Sequence, residues 1–219
     1  MAMSQSTGKG WWTEFKDIQG PHALDLAELE SSAVACRSFQ WLYMPGLLQT
    51  PEYVRALLEA GEPDVDGALL DKYVDFRLRR QQVVTQGTLR FHAVIHESAL
   101  RMQFVPVDVM RRQIQHLVGM ARLPHVRIQI LPFKASMKVP MFSTPFILFE
   151  GAVPDLDTAY VEQPVSSPFV SDQEHLARFS ESFERLSAAA LPPIDGRVEL
   201  EFSTERDSLG LIQHLMYSL

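Results

Sequence analysis

The sequence predicts an α+β fold: a helical first half packed on a small mixed β-sheet, followed by C-terminal helices. Apolar residues recur at helical spacing through most of the first half of the chain. β-favouring runs then appear at Leu89 to His96, Val126 to Leu131, Pro145 to Phe149 and Thr158 to Glu162. A helical pattern from about Pro106 to Arg122 separates the first two runs, as expected where helices and strands share one core.

Taken in order, Met1 to Gly10 is small and polar, a composition that cannot offset the entropy of ordering, and is read as a tail or linker. Residues 11–219 are read as a single ligand- or partner-binding domain. Pro21 suits the first turn of a helix expected to run to Cys36, with Leu24, Ala27, Val34 and Ala35 as its apolar stripe. The nearly apolar run Trp41 to Thr50 is broken by Pro45-Gly46, which predicts a buried turn. Thr50 before Pro51 is an N-cap signal for a helix carrying Tyr53, Val54, Leu57 and Leu58 up to Gly61.

A longer amphipathic helix is expected over Asp64 to Gln86, with Arg77, Arg79 and Arg80 as mostly polar decoration and Gly87 as its stop. Beyond the fourth strand, Ser171 or Asp172 caps a helix that Pro192-Pro193 ends. Arg197 to Phe202 reads as a short strand and Glu205 to Leu219 as a final helix. Trp11-Trp12 reads as a clamp on the domain, Met137, Met141 and Phe142 as an apolar loop, and Cys36 as a small buried residue.

Composition narrows the function. With 219 residues, 46% of them hydrophobic, the chain can bury a sizeable core. A net charge of −7 argues against direct nucleic-acid or anionic-membrane binding, which requires a basic surface. One cysteine allows no internal disulfide and no thiolate zinc site, and suits a reducing, cytoplasmic location. No run resembles a signal peptide or a membrane span.

The motifs of the large cofactor-dependent classes are missing, so no cofactor is expected. His96-Glu97 lacks the second histidine of a zinc protease, since Leu100 stands where it is needed. His92 and His96 fall in a strand pattern, about 13 Å apart, and cannot share a metal. There is no hydrolase elbow, no Walker loop after Gly8-Lys9-Gly10, and no dinucleotide-binding glycine pattern. What remains is polar residues set in apolar sequence: Gln49, Tyr53, Glu97, Arg101, Tyr160 and Glu162. Such groups must be paired or must face a cavity. On the structural reading, Glu97 or Glu162 pairs with Arg80 or Arg101; on the functional one, these residues line a polar-floored pocket.

Met44-Pro45-Gly46-Leu47-Leu48-Gln49-Thr50-Pro51-Glu52-Tyr53-Val54-Arg55-Ala56 resembles a signature of actinobacterial WhiJ-like regulators. In these an Xre-type helix-turn-helix precedes a large domain of unknown function. Glu30-Ser31-Ser32-Ala33, Arg77-x-x-Arg80-Gln81, Ile95 to Arg101, Val126 to Phe133 and Ala159 to Glu162 extend the resemblance from about Trp11 to the last helix. The helix-turn-helix expected upstream of Trp11-Trp12 is not present, so DNA would be reached only through that separate module. The resemblance implies an effector-binding or partner-binding regulatory domain, with a small BldB-like protein or a small molecule as partner, and allows a homodimer. Gln49, Tyr53, Arg80, Glu97, Arg101 and Glu162 would then contact the ligand or hold the domain together. The alternative is a stand-alone, cofactor-independent isomerase or cyclase of secondary metabolism. There Glu97 or Glu162 would shift protons while Arg101 or Tyr160 stabilises developing charge.

Overall fold

Two runs rich in β-branched and aromatic residues, Arg90–His96 and Val126–Leu131, pair as parallel strands in the computed structural model. The structure describes residues 10–61, 63–135, 144–163, 167–195 and 207–218. Its six strands are β1 (Ala35–Gln40), β2 (Arg90–His96), β3 (Val126–Leu131), β4 (Phe146–Glu150), β5 (Thr158–Val161) and β6 (Phe169–Val170). They lie in the order β3-β2-β1-β4-β5-β6. β1, β2 and β3 are mutually parallel, while β4, β5 and β6 each run antiparallel to their neighbours.

Parallel neighbours need crossover connections, and helices supply them. Between β1 and β2 come α2 (Pro51–Gly61), α3 (Gly67–Arg80) and the short α4 (Gln82–Thr85). Between β2 and β3 come the short α5 (Glu97–Arg101) and α6 (Val107–Met120). Helix α1 (Pro21–Ser32) precedes the sheet; α7 (Gln173–Ala189) and α8 (Ser208–Ser218) follow it.

The period of two along each strand divides the core between the two faces. On one face Phe39, Val94, Phe146, Leu148 and Val161 pack against Leu176, Phe183 and Leu186 of α7. On the other, Cys36, Phe91, Ala93, Ile95, Ile128, Ile147 and Phe149 meet apolar residues of α1, α2, α5, α6 and α8. The expected α+β class therefore holds, with a larger sheet that reaches into the first half of the chain.

Several expected boundaries change. The helix expected to reach Cys36 ends at Ser32; Ala33 is extended (φ −71°, ψ 149°), and Ala35 and Cys36 enter the sheet. β1 went unpredicted because Arg37, Ser38 and Gln40 hide its alternation, whereas pairing on both edges with β2 and β4 decides its conformation. The expected helix over Asp64 to Gln86 is divided at Gln81 into α3 and α4. Gly87, at φ 76°, ends it as expected, in a conformation that favours glycine. The last helix is Ser208–Ser218, shorter than Glu205 to Leu219. The strand expected at Arg197 to Phe202 and the loop with Met137, Met141 and Phe142 lie outside the described residues.

The remaining local signals hold. Thr50 Oγ1 accepts from the Tyr53 amide at 3.3 Å, and Asp172 Oδ1 accepts from the His175 amide at 3.0 Å, each capping its helix. Trp11 packs on Phe76 of α3, with ring centroids 5.5 Å apart, and Cys36 is buried.

Candidate ligand cavity

Helix α1 places His22, Leu26 and Glu30 on one stripe, because residues four apart share a helix face. On α3, Arg77 and Arg80 project together for the same reason. On the sheet, Ser38 and Gln40 of β1 point to the face opposite Phe39, and the register aligns Ser38 with Ile147 of β4 and Ile147 with Tyr160 of β5. Glu162 follows β5 directly. These groups and the turn from Tyr43 to Gln49 enclose a cavity of about 520 Å³, within the range of small-molecule sites.

The turn is buried, so its backbone needs internal hydrogen-bond partners. Gln49 Nε2 donates to the Met44 carbonyl at 2.8 Å. Gln81 Nε2 donates to the carbonyls of Gly46 and Gln49, at 3.0 and 2.8 Å. Gln113 of α6 donates to the Leu48 carbonyl and accepts from the Thr50 amide, both at 2.7 Å. The Met44 amide donates to the Tyr53 hydroxyl at 3.3 Å, and burial pushes that phenol up to about 12. Tyr53 therefore supports the turn from behind.

Four charges meet at the cavity. Arg80 forms a two-pronged pair with Glu30: Nε donates to Oε2 at 2.8 Å and Nη2 to Oε1 at 2.7 Å. Glu30 is 1% exposed and Arg80 8%, so both charges have left water together. Burial works against the Arg80 charge, but Glu30, with support from Tyr160 and Glu162, holds it above its ordinary value. Arg77 Nη1 donates to Gln49 Oε1 at 2.9 Å. Burial, then the like charge of Arg80, push Arg77 down to about 10, which leaves it cationic at neutral pH. Burial also raises Glu162 above the ordinary carboxylate value, against a hydrogen bond from Gln40 and the fields of Arg77 and Arg80. Ser38 Oγ, 1% exposed, has no hydrogen-bond partner among the described residues.

Of the residues singled out in the sequence, Gln49, Arg80, Tyr160 and Glu162 line this cavity. Glu97 and Arg101 do not. Glu97 Oε1 takes the Arg101 Nε at 2.6 Å and Oε2 accepts from the Phe133 amide at 2.8 Å, which ties α5 to the segment after β3. The expected pairing of Glu97 or Glu162 with Arg80 or Arg101 is met by Glu97 with Arg101, whereas Arg80 pairs with Glu30. Sequence reasoning also missed Arg77, Ser38 and Gln40. The three-residue spacing of Arg77 and Arg80 and the alternation of Ser38 with Gln40 were visible, but their faces were assigned wrongly or not at all. Arg77 and Arg80 face the cavity wall rather than solvent because α3 packs beside α1 and above the turn.

Among the described residues no group of three or more His, Cys, Asp or Glu could hold a metal ion. No described helix is long and apolar enough to cross a membrane. A family of domains of unknown function, DUF5753, matches residues 23–201. The chain belongs to this family. The DUF5753 match takes in every cavity residue named above except His22, and leaves the turn at Trp11–Phe15 and helix α8 outside it. No curated protein is found to be similar to the chain.

Two predictions follow from the charges. Arg80→Met strands a buried carboxylate and should cost about 3–5 kcal/mol of unfolding free energy in urea titrations. Glu30→Leu combined with Arg80→Met should recover most of that loss; equal losses in both variants would contradict a desolvated pair. Glu162 holds its proton more tightly in the folded state than in the unfolded chain, where its value is near 4.5. That stabilisation is complete below the ordinary carboxylate range and lost as pH rises through the raised value. The melting temperature of Glu162→Gln, relative to the parent, should therefore be higher at about pH 7 than at about pH 4. A constant difference would contradict the burial of Glu162.

Proposed function

We propose that the chain is the effector-binding domain of a transcriptional regulator whose DNA-binding module is a separate unit, and that the effector is a small molecule seated in the cavity. The observation that carries this reading is that α3 serves the cavity and the N-terminal turn at once. Arg77 and Arg80 line the cavity. On the adjoining arc of the helix Phe76 and Arg79 seat the turn Trp11–Phe15, and the Arg80 guanidinium lies over the Phe76 ring at 6.0 Å, joining the two. Phe76 lies 5.1 Å from the Phe15 ring, and the Arg79 guanidinium lies 5.0 Å from the Trp11 ring. Glu14 pairs with Arg79 across the same contact. A ligand that shifts α3 therefore moves the support of the segment which, in WhiJ-like regulators, leads from the helix-turn-helix. Such a ligand acts by population shift to the extent that it binds one position of α3 more tightly than another. A small molecule fits better than a small BldB-like protein, because the charged groups converge inside a cavity.

The enzyme reading is favoured by a different observation, the partly buried Glu162 beside Tyr160 with its carboxyl held above the ordinary range. Glu97 and Arg101 have no part in that version, since they lie away from the cavity.

Native mass spectrometry of the tagged chain recovered from its own lysate tests the proposal. The parent should retain a small molecule near one per chain, Gln49→Ala should retain at least about tenfold less, and Arg101→Ala should match the parent. Equal retention by Gln49→Ala would overturn the site. A retained molecule whose mass changes on incubation, with the change stopped by Glu162→Gln, would favour the enzyme.

A further inference from the structure

The charges inside the cavity define a ligand class, an inference that rests on the effector reading and extends it. Glu30 and Arg80 satisfy each other through two hydrogen bonds. Arg77 and Glu162 do not. Among the described residues Arg77 makes a single side-chain hydrogen bond, to Gln49 Oε1, and that amide is oriented by its own bond to the Met44 carbonyl. Glu162 takes a hydrogen bond from Gln40 and forms no ion pair among the described residues. The two charges sense each other across the cavity without touching, one on the α3 wall and the other at the edge of the sheet floor. The floor also carries the hydroxyl of Ser38, which has no hydrogen-bond partner among the described residues. The rest of the lining is largely apolar, including Leu26, Leu57, Phe91 and Ile147.

A buried charge without a partner is costly, and an arriving group of opposite sign relieves that cost. A simple anion would satisfy Arg77 while facing Glu30 and Glu162. A simple cation would satisfy Glu162 while facing Arg77 and Arg80. A neutral ligand would displace water from both groups and offer hydrogen bonds without a compensating charge. We propose that the cavity binds a small apolar zwitterion, with its carboxylate on Arg77, its ammonium on Glu162 and its hydrocarbon part against Leu26, Phe91 and Ile147. Ser38 supplies a further hydrogen bond to the polar end. The ligand is thus a hydrophobic amino acid, a short peptide or a close analogue, recognised by both termini at once.

Titration calorimetry on the full chain tests this with L-phenylalanine and L-leucyl-L-phenylalanine, each against its N-acetylated and its C-amidated form. At least one zwitterion should bind about tenfold or more tightly than both of its blocked forms. Glu162→Gln should abolish the preference for the free amine, and Arg77→Met the preference for the free carboxylate. Arg77→Lys, which keeps the charge, should restore part of the latter. Blocked forms that bind as tightly as their zwitterions would overturn the inference and leave the effector site standing. Absence of binding by every probe, while Gln49→Ala still strips the molecule retained from lysate, would overturn the zwitterion class alone. If Gln49→Ala also fails to strip it, the effector reading falls as well.

Discussion

The Glu30–Arg80 pair is the constraint on which the arrangement around the cavity depends. It joins α1 to α3 through two short, charge-assisted hydrogen bonds in a site that water has largely left. Two charges so placed must stay together, because separating them would leave each one desolvated and uncompensated. The pair therefore fixes the spacing of two helices that share no other ion pair among the described residues, and the space beneath them stays open above the sheet. Arg77, one helical turn before Arg80, inherits its position from this bond, and burial, then repulsion from the Arg80 guanidinium, lowers the pKa of Arg77. The sheet side responds through Glu162, whose field favours the Arg80 cation.

The second support is the buried Pro-Gly turn. A turn this deep exposes carbonyl and amide groups that no sheet or helix satisfies, and side-chain amides take over that task. Gln49 serves the turn from within, Gln81 from the junction of α3 and α4, and Gln113 from α6. Gln81 makes these bonds at the point where α3 gives way to α4, although the apolar pattern continues through it. The same amide network orients Gln49 toward Arg77, so the turn and the charged wall are one mechanical unit.

Much of this was legible in the sequence, and what was not has physical reasons. Helices α2, α6 and α7 and strands β2 to β5 announce themselves through period and capping, since each buries one clear face. β1 lies at the centre of the sheet yet carries Arg37, Ser38 and Gln40, so its conformation is decided by its neighbours and not by its own pattern. Gln49, Tyr160 and Glu162 stood out because polar groups in apolar sequence need an explanation, and Arg80 entered as a candidate partner for a carboxylate. Glu97 and Arg101 stood out for the same reason and turned out to explain each other. Glu30 and Arg77 were hidden, because a charge on an amphipathic helix ordinarily faces water and only packing between α1 and α3 reveals that these do not.

The claim that this pair holds the cavity wall is tested most directly by amide hydrogen exchange on Arg80→Met beside the parent, under conditions where both are folded. The account predicts that protection falls in α1, in α3 and in the turn from Tyr43 to Gln49, while β2, β3 and β4 under α7 keep theirs. Unchanged protection in α1 and α3, or an even loss across the whole sheet, would contradict it.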